Sequence, residues 1–228
     1  LGYAVLKTHN KRLIYAAVSG YGVSGPYSRR PAYDAIVQAM GGLMSITSPE
    51  PGGPPTRSGS SIGDITAGLF TAIGILAALH QRERSGEGQF VDVAMLDCQV
   101  AILENAVTRF LTTGEVPEPV GNRHPSITPF EPFDTADGQL MIAVGNDSIW
   151  RSFCTLIELE ELLDDPRFST NPKRNEHYEQ LRSLLAEKIK QKTPSEWRQI
   201  FDDGGVQNGQ INHIDQLLQE PQVLARQM

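Results

Sequence analysis

Cysteine is scarce in this sequence: Cys98 and Cys154 are the only two, far apart and without a CxxC partner. That excludes a disulfide framework and a cysteine-rich zinc site, and it points to two buried thiols in a cytosolic protein. Positive charge is also short. Twenty Lys and Arg stand against 27 Asp and Glu, for a formal net charge of -7. This balance argues against nucleic acid or an anionic membrane as the main partner. No basic segment followed by an apolar one opens the chain, so no signal peptide is read. The most apolar stretch, Ile65–Leu79, is shorter than the roughly 20 residues a membrane span needs. His9, His80, His124, His177 and His213 have no metal-ligand spacing among them. Internal repeats are missing too.

What is present is an ordinary globular composition, 39% hydrophobic and 21% charged over 228 residues. It is enough for one large domain or two small ones, each with a core. "RLIYAAVSG" (residues 12–20) reads as a buried strand closed by glycine. "YGVSGPYSRRP" is then a loop at the strand's carboxyl end, where open α/β sheets bind ligands. Gly20-Tyr21-Gly22 lacks the third glycine of a dinucleotide fingerprint. "AYDAIVQAMGGLMSIT" reads as a helix, and "SPEPGGPPTRSGSS" as a breaker-rich loop of the kind that is usually functional or mobile. A long helix is expected over 62–83, a strand at "QFVDVAM", and a second long helix over 96–112. Asp92 and Asp97 are assigned to caps or structural hydrogen bonds, and "RERSGEG" to a solvated helix end.

The segment 114–133 holds five prolines and almost no periodicity, and reads as a linker. Beyond it the pattern changes. "FDTADGQLMIAVGN" suggests a hairpin turning at Asp137-Gly138. Two amphipathic helices follow, then "TPSEWRQIFDDGG", with Thr193 as N-cap, Pro194 at N1 and Glu196 at N3. The expected division is an α/β domain over 1–113, the linker over 114–133, and a small α+β domain over 134–228.

The chemistry centres on "SGSSIGDITAGLF". Asp64 stands at the mouth of a helix that is apolar nearly all round and therefore expected to be buried. The amino end of a helix carries unpaired N–H groups and favours a carboxylate by about 0.3–1 kcal/mol. Capping alone explains an Asp there. Ser60 and Ser61, however, already offer cap hydroxyls, and Gly63 removes a side chain beside the carboxylate, so a substrate could approach closely. A carboxylate so placed can act as a nucleophile toward an acyl group. Both readings fit the residues.

The runs "GYGVSGPYSRRPAYDAIVQAMGGLMSIT" and "GDITAGLFTAIGILAALHQRERSGEGQFVDVAMLD" closely resemble the class III CoA-transferase family. "DGQLMIAVGND", "DDPRF", "SEWRQIF" and "PQVLARQM" resemble it as well, in order along nearly the whole chain. The family also includes the α-methylacyl-CoA racemases. The resemblance implies a partial Rossmann-like large domain followed by a small α+β domain. It makes Asp64 the nucleophile: its carboxylate attacks an acyl-CoA thioester, giving an aspartyl mixed anhydride and free CoA thiolate. CoA then passes to a carboxylic acid acceptor through covalent enzyme intermediates. Gly63 and Tyr33 are implied in substrate binding. No metal or redox cofactor is implied, because CoA enters and leaves as substrate and product. The partners implied are acyl-CoA, an acceptor acid and a second copy of the chain in an interlocked homodimer.

Two departures from the family pattern matter. The racemases carry His immediately before the Asp of "AYDAI", as a proton-transfer partner; Tyr33 stands there, which favours transferase over racemase. Asp34 itself is read as an acid at the start of its own helix, and packing against a neighbouring helix is the plain alternative for Tyr33. The family's usual Val-Pro-x-Gly-Pro-Ile is "GVQNGQI", with Gln207 and Gln210 in place of prolines. The chain opens on Leu1, without the upstream nucleotide-fold segment that supplies much of the CoA site, and stops before the family's returning segment. It is expected to be the central part of such an enzyme, weak in CoA binding when isolated, or a non-catalytic module of the same fold.

Overall fold

The computed structural model describes residues 2–228, apart from the side chain of residue 104. It divides into two compact units, Leu1–Gly121 and Asn122–Met228. The expected strand forms as β1 (Tyr15–Ser19) and pairs in parallel with β2 (Phe90–Ala94), from Tyr15 opposite Phe90 to Ser19 opposite Ala94. It is not the buried strand its apolar run suggested: Ala16 and Val18 are exposed, because among the described residues the sheet has only these two strands and the helix Ile62–Ser85 covers one face. A short helix α1 (Tyr3–His9) precedes it, and Tyr3 lies against Phe90 at 5.6 Å between ring centroids. The loop after β1 is held at the carboxyl end of this pair. Ser19 Oγ accepts the Gly22 N–H at 2.9 Å, and Asp92 Oδ2 accepts the Val23 N–H at 3.1 Å. Gly22 turns there with φ +80°.

Helix α2 (Asp34–Met40) is shorter than expected, because Gly41-Gly42 stops it, Gly42 at φ +86°; one 3-10 turn follows at Met44–Ile46. The long helix α3 runs Ile62–Ser85 and ends on left-handed Gly86. The second long helix breaks into α4 (Met95–Ala101) and α5 (Glu104–Thr113). At the break Leu103 turns into the core, its N–H closing a tight turn on the Val100 carbonyl at 3.1 Å.

Helix α3 departs from the sequence reading in a way that matters. It packs on β1, β2, α2 and α4, but only Gly63, Thr66, Ala67 and Ala78 are buried. Ile65, Leu69, Ile73 and Leu76 form an exposed apolar stripe. The buried positions are all small residues, while Gly68, Ala72 and Ala77 are exposed with the stripe, so composition signalled burial without saying which face is covered. The helix is also longer than its most apolar stretch, and by length and composition alone it suffices to cross a membrane.

In the second unit, β3 (Phe130–Asp134), β4 (Gln139–Ala143) and β5 (Gln207–Gln210) form an antiparallel sheet in that order. The hairpin turns at Asp137-Gly138 as its sequence indicates. Strand β3 begins inside the segment expected as a linker. That segment is not free chain: Gly52 N donates to the Pro119 carbonyl at 3.0 Å and Val120 bridges Pro51, while Phe130–Phe133 is strand. Pro132 is tolerated because β3 is an edge. Helices α6 (Asp147–Leu156), α7 (Glu161–Asp164), α8 (Asn171–Glu176), α9 (Tyr178–Ile189) and α10 (Pro194–Asp203) surround a core of Phe133, Ile142, Phe153, Leu185, Trp197 and Phe201. Short helices α11 (Ile214–Leu217) and α12 (Pro221–Ala225) follow. Thr193 and Glu196 make the expected capping box. Both cysteines are free and buried, and burial pushes the Cys154 thiol up to about 12.

His124 holds the entry to this unit. Its Nδ1 accepts the N–H groups of Ser126 and Ile127, both at 3.1 Å, and its ring stacks on Phe130 at 5.1 Å. Burial lowers its pKa below the ordinary histidine value. The folded state therefore binds the proton less readily than the unfolded chain, so this contribution is full above the unfolded histidine pKa and is lost as pH falls through the lowered folded value. The melting temperature of this unit is expected to fall on acidification from pH 7. His124→Asn, which keeps an acceptor but does not titrate, should flatten that slope; equal slopes in both proteins would contradict it.

Candidate active site

Asp64 is the third residue of α3, after Ser61 at the N-cap. The Ser61 side chain makes no capping bond. The cap comes from another helix. Asp34 Oδ1 accepts the Gly63 N–H at 2.9 Å across 29 residues of sequence. Asp34 is the first residue of α2 and only 7% exposed. It was expected to serve its own helix; its carboxylate instead closes the mouth of α3. Among the described residues, no hydrogen bond or ion pair engages the Asp64 carboxylate, which is exposed. Two carboxylates thus divide the work at one helix end. The buried one meets the backbone donor, and the exposed one has no hydrogen-bond partner among the described residues.

Gly63 is glycine for packing. A Cβ there would stand 2.7 Å from Val37 Cγ2 and 3.2 Å from Asp34 Oδ1. Its missing side chain lets α2 and α3 touch, and this is the reason the hydrogen bond from its N–H to Asp34 can form. Tyr33 is the N-cap residue of α2, and its carbonyl accepts the Ile36 and Val37 N–H groups at 2.9 and 3.2 Å. Its side chain is 82% exposed, so it does not pack on a neighbouring helix among the described residues. Tyr33 and Asp64 flank the two partners of the Asp34–Gly63 bond, one residue from each. The fold thus brings the three residues singled out in the sequence to one place.

Gln38 is the residue the sequence reading passed over. It is wholly buried, and each polar atom of its amide is used. Nε2 donates to Asp34 Oδ2 at 2.8 Å and to the Ser60 carbonyl at 3.3 Å; Oε1 accepts the Ser58 N–H at 3.0 Å. The signal was its i, i+4 spacing from Asp34, which puts both side chains on one face of α2 beside Val37. A polar pair on the buried face of a helix needs partners, and here they are the loop and the helix mouth next to Asp64. Among the described residues no cluster of His, Cys, Asp and Glu could hold a metal ion.

A mixed α/β unit with a free carboxylate at a braced helix mouth is the setting in which the family comparison falls. The profile of CoA-transferase family III matches residues 1–228, and the chain belongs to that family, with its α/β fold. An acyl-CoA transferase of Fusarium pseudograminearum is 42% identical over 228 residues, covering 100% of this chain and 50% of its own length. A succinate–glutarate CoA-transferase of Agrobacterium fabrum is 39% identical over 226 residues, 99% of this chain and 56% of that protein. The crystal structure of a CaiB/BaiF family protein from Brucella suis superposes with a TM-score of 0.85 at 38% identity, over 100% of this chain and 60% of that one. The chain spans about half the length of the curated relatives it matches.

Proposed function

We propose that this chain carries the catalytic carboxylate of a CoA-transferase acting between an acyl-CoA and a small carboxylic acid. The observation that carries the reading is the free, exposed Asp64 at a helix mouth whose capping is done by Asp34. The relatives' names, succinate–glutarate and acetyl-CoA:oxalate among them, point to dicarboxylic acids as the class of acceptor.

In the proposed reaction an Asp64 oxygen attacks the thioester carbonyl, the C–S bond breaks, and CoA leaves as thiolate. The product is a mixed anhydride. The thiolate attacks the Asp64 carbonyl, releasing the donor acid and leaving an aspartyl-CoA thioester. The acceptor carboxylate attacks that thioester, and the thiolate finally attacks the acceptor's acyl carbon and frees Asp64. Each exchange trades bonds of similar reactivity, which is the use of a covalent intermediate. No resident cofactor enters any step. The reading includes a cytoplasmic homodimer, and the exposed stripe of α3 suits burial against further protein surface.

The test is to supply the whole protein with succinyl-CoA and a panel of dicarboxylic acids. A second acyl-CoA should form without net hydrolysis. Racemisation of a 2-methylacyl-CoA without transfer would favour the racemase activity instead. Tyr33, exposed beside the site, is assigned to the substrate. Tyr33→Phe should raise the acceptor KM about tenfold, since a hydrogen bond to a charged group is worth about 1.5–3 kcal/mol. It should leave the melting temperature unchanged, and an unchanged KM would remove Tyr33 from the site.

A further inference from the structure

We infer that the buried Asp34–Gln38 pair is a positioning device for Asp64, tying the proline- and glycine-rich loop before α3 to the helix mouth. The inference rests on the reading of Asp64 as nucleophile. Four hydrogen bonds converge on the pair: from Gly63 N to Asp34, from Gln38 to Asp34, from Ser58 N to Gln38, and from Gln38 to the Ser60 carbonyl. They fix three points of the main chain, at residues 58, 60 and 63, within the six residues that precede Asp64. Neither side chain is needed to cap its own helix: α2 starts on Tyr33 without a side-chain cap. A buried polar pair retained at such a place brings geometric definition, because its donors and acceptors match in one arrangement only. A carboxylate nucleophile must meet a thioester carbon along one line of approach, and a 1 Å misplacement can cost about a hundredfold in rate.

The polarity of the pair supplies the test. Asp34→Asn keeps the acceptor for Gly63 but sets an amide N–H₂ against the Gln38 amide. Gln38→Glu sets two carboxylates face to face. The exchanged pair, D34N with Q38E, restores a donor to an acceptor within the pair and keeps the acceptor for Ser58; its cost is at Ser60, where the 3.3 Å contact becomes a carboxylate oxygen facing a carbonyl oxygen. In the whole protein, well below each variant's melting temperature, each single change should lower kcat by about a hundredfold. The KM for acyl-CoA should stay within about threefold, and the exchanged pair should return kcat to within about tenfold of the parent. A purely structural role would not separate kcat from KM. If a single variant does not fold, the exchanged pair decides: near-parental kcat supports the inference, and a folded exchanged pair with low kcat overturns it. Single variants with kcat within about threefold of the parent also overturn it. Asp64→Asn separates the two failures. If it stays active, the nucleophile assignment falls and the inference with it; if it is inactive while the pair variants are unaffected, only the positioning role falls.

Discussion

Asp64→Asn in the whole protein is expected to lower CoA transfer by about three orders of magnitude or more, as loss of a covalent nucleophile does. The amide has nearly the carboxylate's shape but cannot form the anhydride. Because Asp64 is exposed and makes no hydrogen bond among the described residues, its loss leaves no buried group unpaired. The melting temperature should therefore stay close to that of the parent. Asp64→Ala should behave in the same way. The expectation for Asp34 is different: truncating it to Ala strips an acceptor from the Gly63 N–H. A large fall in turnover without a fall in stability is the signature that separates a nucleophile from a cap. Retention of most activity by either Asp64 variant would refute the assignment, and normal activity with a lower melting temperature would make Asp64 structural.

The second large effect is on stability and concerns Arg174. Its guanidinium is fully buried, donating to the Thr128 carbonyl at 2.9 Å, the Phe168 carbonyl at 3.1 Å and Asp147 Oδ1 at 2.7 Å. It also lies over the Trp150 ring at 4.9 Å. Arg174→Ala orphans two carbonyls, at roughly 1–3 kcal/mol each, and leaves a cavity. The sum is a destabilisation of about 3–5 kcal/mol. Asp147 is half exposed and can be rehydrated, so it adds little. Both tryptophans, Trp150 and Trp197, belong to the second unit, so their fluorescence in a urea titration reports that unit alone. A midpoint shift worth less than about 1 kcal/mol would show that the carbonyls find other partners.

Local signals in the sequence proved good guides. Thr193 and Glu196 announced their capping box, Asp137-Gly138 their hairpin turn, β1 its β-branched and aromatic run, and β2 its alternation. Such features depend on a few neighbouring residues. Asp64 and Gly63 drew attention through the local pattern at a helix mouth and Tyr33 through the family resemblance; their roles belong to the proposed function. Four things could not be read locally. The break at Leu103 depends on what that side chain finds in the core. The exposed face of α3 is invisible to composition, because small and large apolar residues predict burial alike until the packing partner is known. The role of Asp34 is the clearest case: an acid at the start of a helix reads as that helix's own, and only the tertiary contact through Gly63 shows that it serves another. Gln38 offered only its i, i+4 spacing from Asp34 as a local signal, and its other partners lie 20 and 22 residues away.

The central claim is a covalent aspartyl intermediate, and direct trapping tests it best. Trypsin should release the peptide Ser58–Arg82, in which Asp64 is the sole acidic side chain, so peptide mass alone locates a modification. The whole protein would be mixed with acyl-CoA, quenched with hydroxylamine, digested and weighed. The account predicts an acyl-CoA-dependent hydroxamate on this peptide, and none in Asp64→Asn. Active transfer with the peptide unmodified, or a hydroxamate on a different peptide, would contradict it.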